Sequence, residues 1–165
     1  KEVMTELVKY VDTVIANEED FQKSLGLKAE SQGDVEDGAL NIENYKAIAS
    51  LAMQTYPNIK RVAITLRESK SANHNYWAAC IYDGKEFYVS RKYAITDIVD
   101  RVGGGDSFGG GLIYGLNTYA DEKTALEFAV AASCLKHTIL GDYNRVSVSE
   151  VESLMKGSGT GRVQR

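Results

Sequence analysis

The chain has 165 residues, 44% hydrophobic and 25% charged, with a formal net charge of −4. That is enough for one domain with a real core, and the acid excess without a Lys/Arg cluster argues against a nucleic-acid partner. No apolar stretch is long enough to span a bilayer and no signal peptide is visible, while Cys80 and Cys134 fit no metal spacing. The expectation is a reduced, cytoplasmic protein with no membrane partner.

Val3, Leu7, Val8 and Val11 predict one face of a short helix. Thr13–Ala16 is β-branched and predicts a buried strand. Asn17 ends it and can cap a helix whose first turn, Glu18-Glu19-Asp20, carries acids where the dipole favours them; Leu25-Gly26 closes that helix. Gly33 to Gly38 reads as a loop, and Asn41 to Thr55 as a helix broken by Pro57-Asn58. Arg61–Leu66 predicts a core strand. Tyr76–Tyr82 and Glu86–Arg91 flank Asp83-Gly84 as a hairpin. Helices are expected over Asp106–Tyr119 and over Asp121–His137, the latter with Leu126, Ala129, Val130, Ser133 and Cys134 inward. Ser149-Glu150-Val151-Glu152 predicts the capped start of a last short helix, and the tail 158–165 reads as flexible. Strands alternating with helices imply an α/β fold, a Rossmann-like three-layer α/β/α arrangement with a mostly parallel sheet and an antiparallel hairpin edge.

The densest chemical signal is Asp100-Arg101-Val102-Gly103-Gly104-Gly105-Asp106-Ser107-Phe108. A glycine run can turn successive N–H groups into one concavity, and a helix start behind it adds orphan N–H groups and a positive dipole end. Together they suit an oxyanion, most often a phosphate. A carboxylate at the mouth of such a site suits proton removal from a hydroxyl that attacks phosphorus, the layout of a small-molecule kinase. The bland alternative is Asp106 as a structural cap. A dinucleotide fingerprint would need glycine at Phe108. A P-loop would need Gly-Lys-Ser/Thr, and Gly84-Lys85 is followed by Glu86.

These residues resemble the second signature of the ribokinase-like (PfkB) carbohydrate kinases, Asp-Thr-x-Gly-Ala-Gly-Asp. Asp100, Gly103, Gly105 and Asp106 match it; Arg101 replaces threonine and Gly104 replaces alanine. The variant form is similar to that of the branch acting on 2-keto-3-deoxygluconate. Ile15–Phe21, Leu135–Thr138 with Gly141-Asp142, and Ser158–Arg165 agree with the same branch. The resemblance implies that residues 1–157 are the C-terminal, nucleotide-binding part of a ribokinase-like kinase. The N-terminal half and lid are then absent, and the piece is expected to be inactive alone. It also implies ATP and Mg²⁺ as cofactors, a sugar acid as acceptor, and a full-length parent that is a homo-oligomer. Alternatives are a kinase for ribose, fructose or a nucleoside, or a nucleotide-binding fragment without activity.

Carried onto this chain, the resemblance makes Asp106 the general base, touching the substrate hydroxyl, and Gly103, Gly104 and Gly105 the anion hole. Asn17 and Asp20 would help arrange Mg²⁺ through water, although Asn17 can equally serve as a cap. Thr65 would lie near the nucleotide phosphates. Arg67 would clamp a phosphate or end a solvated strand. Asn73, in the stretch Ser71–Trp77, would approach the nucleotide. Lys136 and His137 would wall the adenine pocket, though cations at a helix end also answer the dipole. Asp142 would contact the sugar acid's hydroxyls or act as a turn residue. His74 and Cys80 read as structural.

Overall fold

The computed structural model describes residues 1–28 and 42–157. The expected loop at Gly33–Gly38, the Asn41 helix start and the expected flexible tail 158–165 lie outside the described residues. The chain divides into two compact units, one of Lys1–Leu66 with Cys80–Tyr88 and one of Arg67–Ala79 with Val89–Arg165.

In the first unit, helix α1 (Glu2–Leu7) runs into a 3-10 turn, Val8–Tyr10. Of its expected inward face only Val8 is buried; Val3 is 69% and Leu7 54% exposed. Strand β1 (Thr13–Ala16) follows. It pairs in parallel with β2 (Arg61–Ser71), Val14 opposite Val62 and Ile15 opposite Ala63. The order β1-β2-β3-β4 leaves β1 at one end. Its expected burial is therefore not met: Val14 is half-buried and Ile15 exposed, because one flank has no strand among the described residues. The short helix α2 (Glu18–Asp20) opens on a capping box. The Asp20 N–H donates to Asn17 Oδ1 at 2.9 Å, and the Asn17 N–H to Asp20 Oδ2 at 3.0 Å. It continues as a π turn over Phe21–Leu25 and stops at Gly26. Helix α3 (Ile42–Thr55) buries Ile48, Ala49 and Ala52. Beyond it the Asn58 side-chain amide donates to the carbonyls of Val8 and Val11, both at 2.8 Å, and so satisfies the end of the 3-10 turn.

Strands β3 (His74–Tyr82) and β4 (Phe87–Val89) form the expected hairpin about Asp83-Gly84. Asp83 Oδ1 closes the turn by accepting the N–H groups of Lys85 and Glu86. Two residues join β2 to β3, too few for a parallel crossover. The sheet is therefore mixed.

In the second unit β2 runs on to Ser71, five residues past the expected Leu66. An unforeseen strand β5 (Tyr93–Ile95) pairs antiparallel with β3, Asn75 opposite Ile95 and Trp77 opposite Tyr93. Helices α4 (Gly104–Thr118) and α5 (Glu122–Lys136) make the core, with Phe108, Leu112, Leu126, Ala129 and Val130 fully buried. Each large apolar side chain there contributes about 1.5–3 kcal/mol. Glycine lets the helices approach: a Cβ on Gly115 would stand 2.8 Å from the Ala125 Cα. The expected inward face of α5 is buried throughout, and Asp121 caps it by accepting the Thr124 N–H at 2.8 Å. Helix α6 (Val148–Lys156) is capped by Ser147 with Glu150, two residues before the expected Ser149. Both serines have an acid three residues on, and the fold selects the first.

Candidate active site

The site of the second unit is built around the turn into α4. Gly103 is the cap, with φ +77° and ψ +2°. The helix begins at Gly104, not at Asp106, so Gly104, Gly105 and Asp106 are its first three residues. Glycine's poor helix propensity hides such a start in a sequence. The Ser107 N–H closes on the Gly103 carbonyl at 2.8 Å and the Gly104 N–H on the Arg101 carbonyl at 3.3 Å. Among the described residues the N–H groups of Gly105 and Asp106 have no backbone partner, as donors at a helix start do. A Cβ on Gly105 would meet nothing within 4 Å. The Asp106 carboxylate stands in this first turn and is exposed.

Several contacts hold the turn. Asp100 accepts the Val102 N–H at 3.0 Å through one oxygen and the Gly141 N–H at 2.8 Å through the other. Those donors, Val102 first, hold its carboxyl below the usual carboxylate range. The His137 carbonyl accepts the N–H groups of Val99 and Asp100 at 2.8 and 3.3 Å. The buried Ser133 hydroxyl donates to the Gly104 carbonyl at 2.7 Å. His137 Nδ1 lies 2.7 Å from the Ser133 carbonyl, which can only accept, so Nδ1 carries the proton and Nε2 keeps its lone pair. Burial pushes the His137 pKa down. Its ring lies beneath Gly104 and 5.4 Å from the Trp77 ring.

Beside the turn, Asp106, Gly110, Tyr114, Asp142, Tyr143 and Asn144 line much of a groove of about 420 Å³. Asn144 fixes that wall, donating to Ser107 Oγ at 2.6 Å and to the Ala132 carbonyl at 3.2 Å.

The expected residues thus come together only in part. Gly103, Gly104, Gly105, Asp106, Asp142 and His137 come together at the α4 turn. Lys136 is fully buried, its ammonium donating to the Ile139 carbonyl at 3.0 Å. Asn73 lies in the β2–β3 turn, where its carbonyl accepts the Ile98 N–H at 3.2 Å. Arg67 is exposed on β2. Asn17, Asp20 and Thr65 belong to the first unit, and the first two are engaged with each other in the capping box. Among the described residues no three His, Cys, Asp or Glu side chains cluster as a metal site, and no helix is long and apolar enough to cross a membrane. Burial raises the thiols of Cys80 and Cys134 to about 12, so neither is a nucleophile at neutral pH.

Sequence reasoning gave Asp100 no role of its own and missed the supports from Ser133 and Asn144. Only Asp100 carried a local signal, a short acid two residues before the amide it accepts.

Residues 1–147 match the pfkB family carbohydrate kinase profile. The 2-dehydro-3-deoxygluconokinase of Thermotoga maritima is 47% identical, with a TM-score of 0.85 over 94% of this chain and 44% of that one. A PfkB family carbohydrate kinase from Listeria grayi is 28% identical, with a TM-score of 0.79 over the same shares. The 2-dehydro-3-deoxygalactonokinase of Haloferax volcanii is 38% identical over 66 residues, 40% of this chain and 21% of that protein. The matches therefore cover less than half of each of these relatives. The fold is ribokinase-like, and the chain belongs to the pfkB family of carbohydrate kinases.

Proposed function

We propose that this chain carries the phosphoryl-transfer site of a kinase that moves a phosphoryl group from Mg·ATP to 2-keto-3-deoxygluconate, giving the 6-phosphate. The observation that carries it is one of juxtaposition. A left-handed turn at Gly103 opens a helix N-terminus with unclosed donors and clear space at Gly105, and an exposed carboxylate, Asp106, stands in the same turn. The glycine turn fits a phosphate, since backbone can approach it where a side chain would intrude. Mg·ATP, when bound, supplies the transferable phosphoryl group and the cation that spreads its charge.

Asp106 accepts the proton of the attacking hydroxyl as that oxygen bonds to phosphorus and the bond to ADP breaks. The N–H groups of Gly105 and Asp106 donate to phosphoryl oxygens as their charge grows. Among the described residues no cluster of protein ligands awaits the metal, which suits Mg²⁺ held largely by phosphates and water. By the family resemblance Asn17 and Asp20 would help arrange Mg²⁺ through water, beside the cap in which each serves the other. Asp142, lining the same groove as Asp106, would meet the acceptor's hydroxyls.

The substrate choice leans on the Thermotoga relative's name, while the Haloferax relative is named for the galactonate counterpart. The test is ADP release from Mg·ATP by the full-length protein with each of the two acids, then with ribose, fructose and a nucleoside. Preferential turnover of the gluconate-derived acid is expected. Turnover of another sugar alone would keep the kinase and discard this acceptor. No turnover with any would overturn the reading.

A further inference from the structure

Arg101 is the residue by which this chain departs from the threonine of the family signature, and its side chain does not reach toward the groove beside Asp106. It turns back on the β2–β3 turn. Its Nη2 donates to the Ser71 carbonyl at 3.1 Å, the Ala72 carbonyl at 2.6 Å and Asn75 Oδ1 at 3.2 Å. Asn75 is fully buried, and its side-chain nitrogen has no partner among the described residues. The cation therefore decides which way the Asn75 amide faces, oxygen toward Arg101 and nitrogen away. Two residues on along β3, the Trp77 ring meets His137, whose ring lies beneath Gly104. The Ile98 N–H on the Asn73 carbonyl ties the same turn to the segment entering the glycine run.

We propose that Arg101 is a positioning residue for the nucleotide side of the site: it locks the Ser71–Asn75 turn to the glycine turn and does not read the acceptor's carboxylate. The inference rests on the kinase reading for its kinetic consequence, though not for the lock itself. All three acceptors converge on a single nitrogen. A guanidinium that reads a carboxylate or phosphate uses two parallel N–H bonds, which an ammonium cannot copy. A convergent set of carbonyl acceptors is met as well by the three donors of a lysine.

The experiment compares wild type with Arg101→Met and Arg101→Lys. The side chain is exposed, so neither change opens a core cavity. Hydrogen–deuterium exchange is followed over residues 72–78 and 94–99, and KM for ATP, KM for the acid and kcat are measured on the full-length protein. Arg101→Met is expected to speed exchange in both segments and to cost about 10- to 100-fold in kcat or in KM for ATP. KM for the acid should hold, and Arg101→Lys should recover most of both losses. Unchanged exchange in Arg101→Met would overturn the proposal. So would a selective rise in KM for the acid that lysine does not rescue. If the wild type turned over no sugar, the kinase reading would fail while the exchange comparison still decided the lock.

Discussion

Gly103 lies against the backbone of Asp142: a Cβ built on the glycine would stand 2.0 Å from the Asp142 carbonyl oxygen and 2.8 Å from its carbonyl carbon. The obstacle is main chain, so no side-chain rotation relieves it, and the left-handed φ penalises any other residue as well. Gly103→Ala should therefore separate the α4 turn from the 141–144 loop. The backbone conformation alone costs about 1–3 kcal/mol, and the clash adds to it. Chemical denaturation of the variant should show that loss, together with faster exchange at the Gly141 amide. Wild-type stability would contradict the geometry.

Gly105 differs from its neighbour. Open space faces it, and its φ lies outside the left-handed range. Gly105→Ala should leave the denaturation midpoint unchanged or slightly higher, since alanine favours a helix. If a phosphate approaches this backbone, the added methyl should weaken ATP binding and slow turnover. Isothermal titration with ATP beside the melting curve separates the two effects. Lowered stability with normal ATP affinity would mean the glycine serves the fold.

His137 should make stability depend on pH. Burial lowers its folded pKa, so the unfolded chain takes up the proton first as pH falls below about 6.5. Its neutral form then contributes stability above that pH, and the contribution is lost as pH falls through the folded pKa. Denaturation midpoints at pH 7.5 and 5.5 should show the decline, and His137→Gln, which keeps a donor for the Ser133 carbonyl, should flatten it. An equal decline in the variant would place the effect elsewhere.

The elements that local chemistry dictates were legible before the fold was known. Asn17 announced a helix cap, Asp83-Gly84 a hairpin, and the spacing of α5 its buried face. The glycine run marked a special turn because glycine so costly in ordered structure needs a geometric reason, and the left-handed backbone of Gly103 supplies one. What escaped depends on partners distant in sequence. β5 has three residues and exists through its pairing with Asn75–Trp77. β2 outruns its apolar stretch because β3 follows after a two-residue turn. Lys136 closes a helix as a dipole argument expects, yet its ammonium is turned inward to Ile139. Arg101 looked like a marker of the acceptor; only the folded chain brings it to Ser71, Ala72 and Asn75.

The central claim is that Asp106 removes the proton while the glycine turn holds the phosphoryl group. Its most direct test is Asp106→Asn in the full-length protein, with kcat and ATP affinity measured together. The substitution keeps the size of the side chain and removes its basicity. A fall in kcat of about 10²–10⁴-fold with ATP affinity near that of wild type is predicted. Turnover close to wild type would contradict the account and leave Asp106 as a helix-terminal acid.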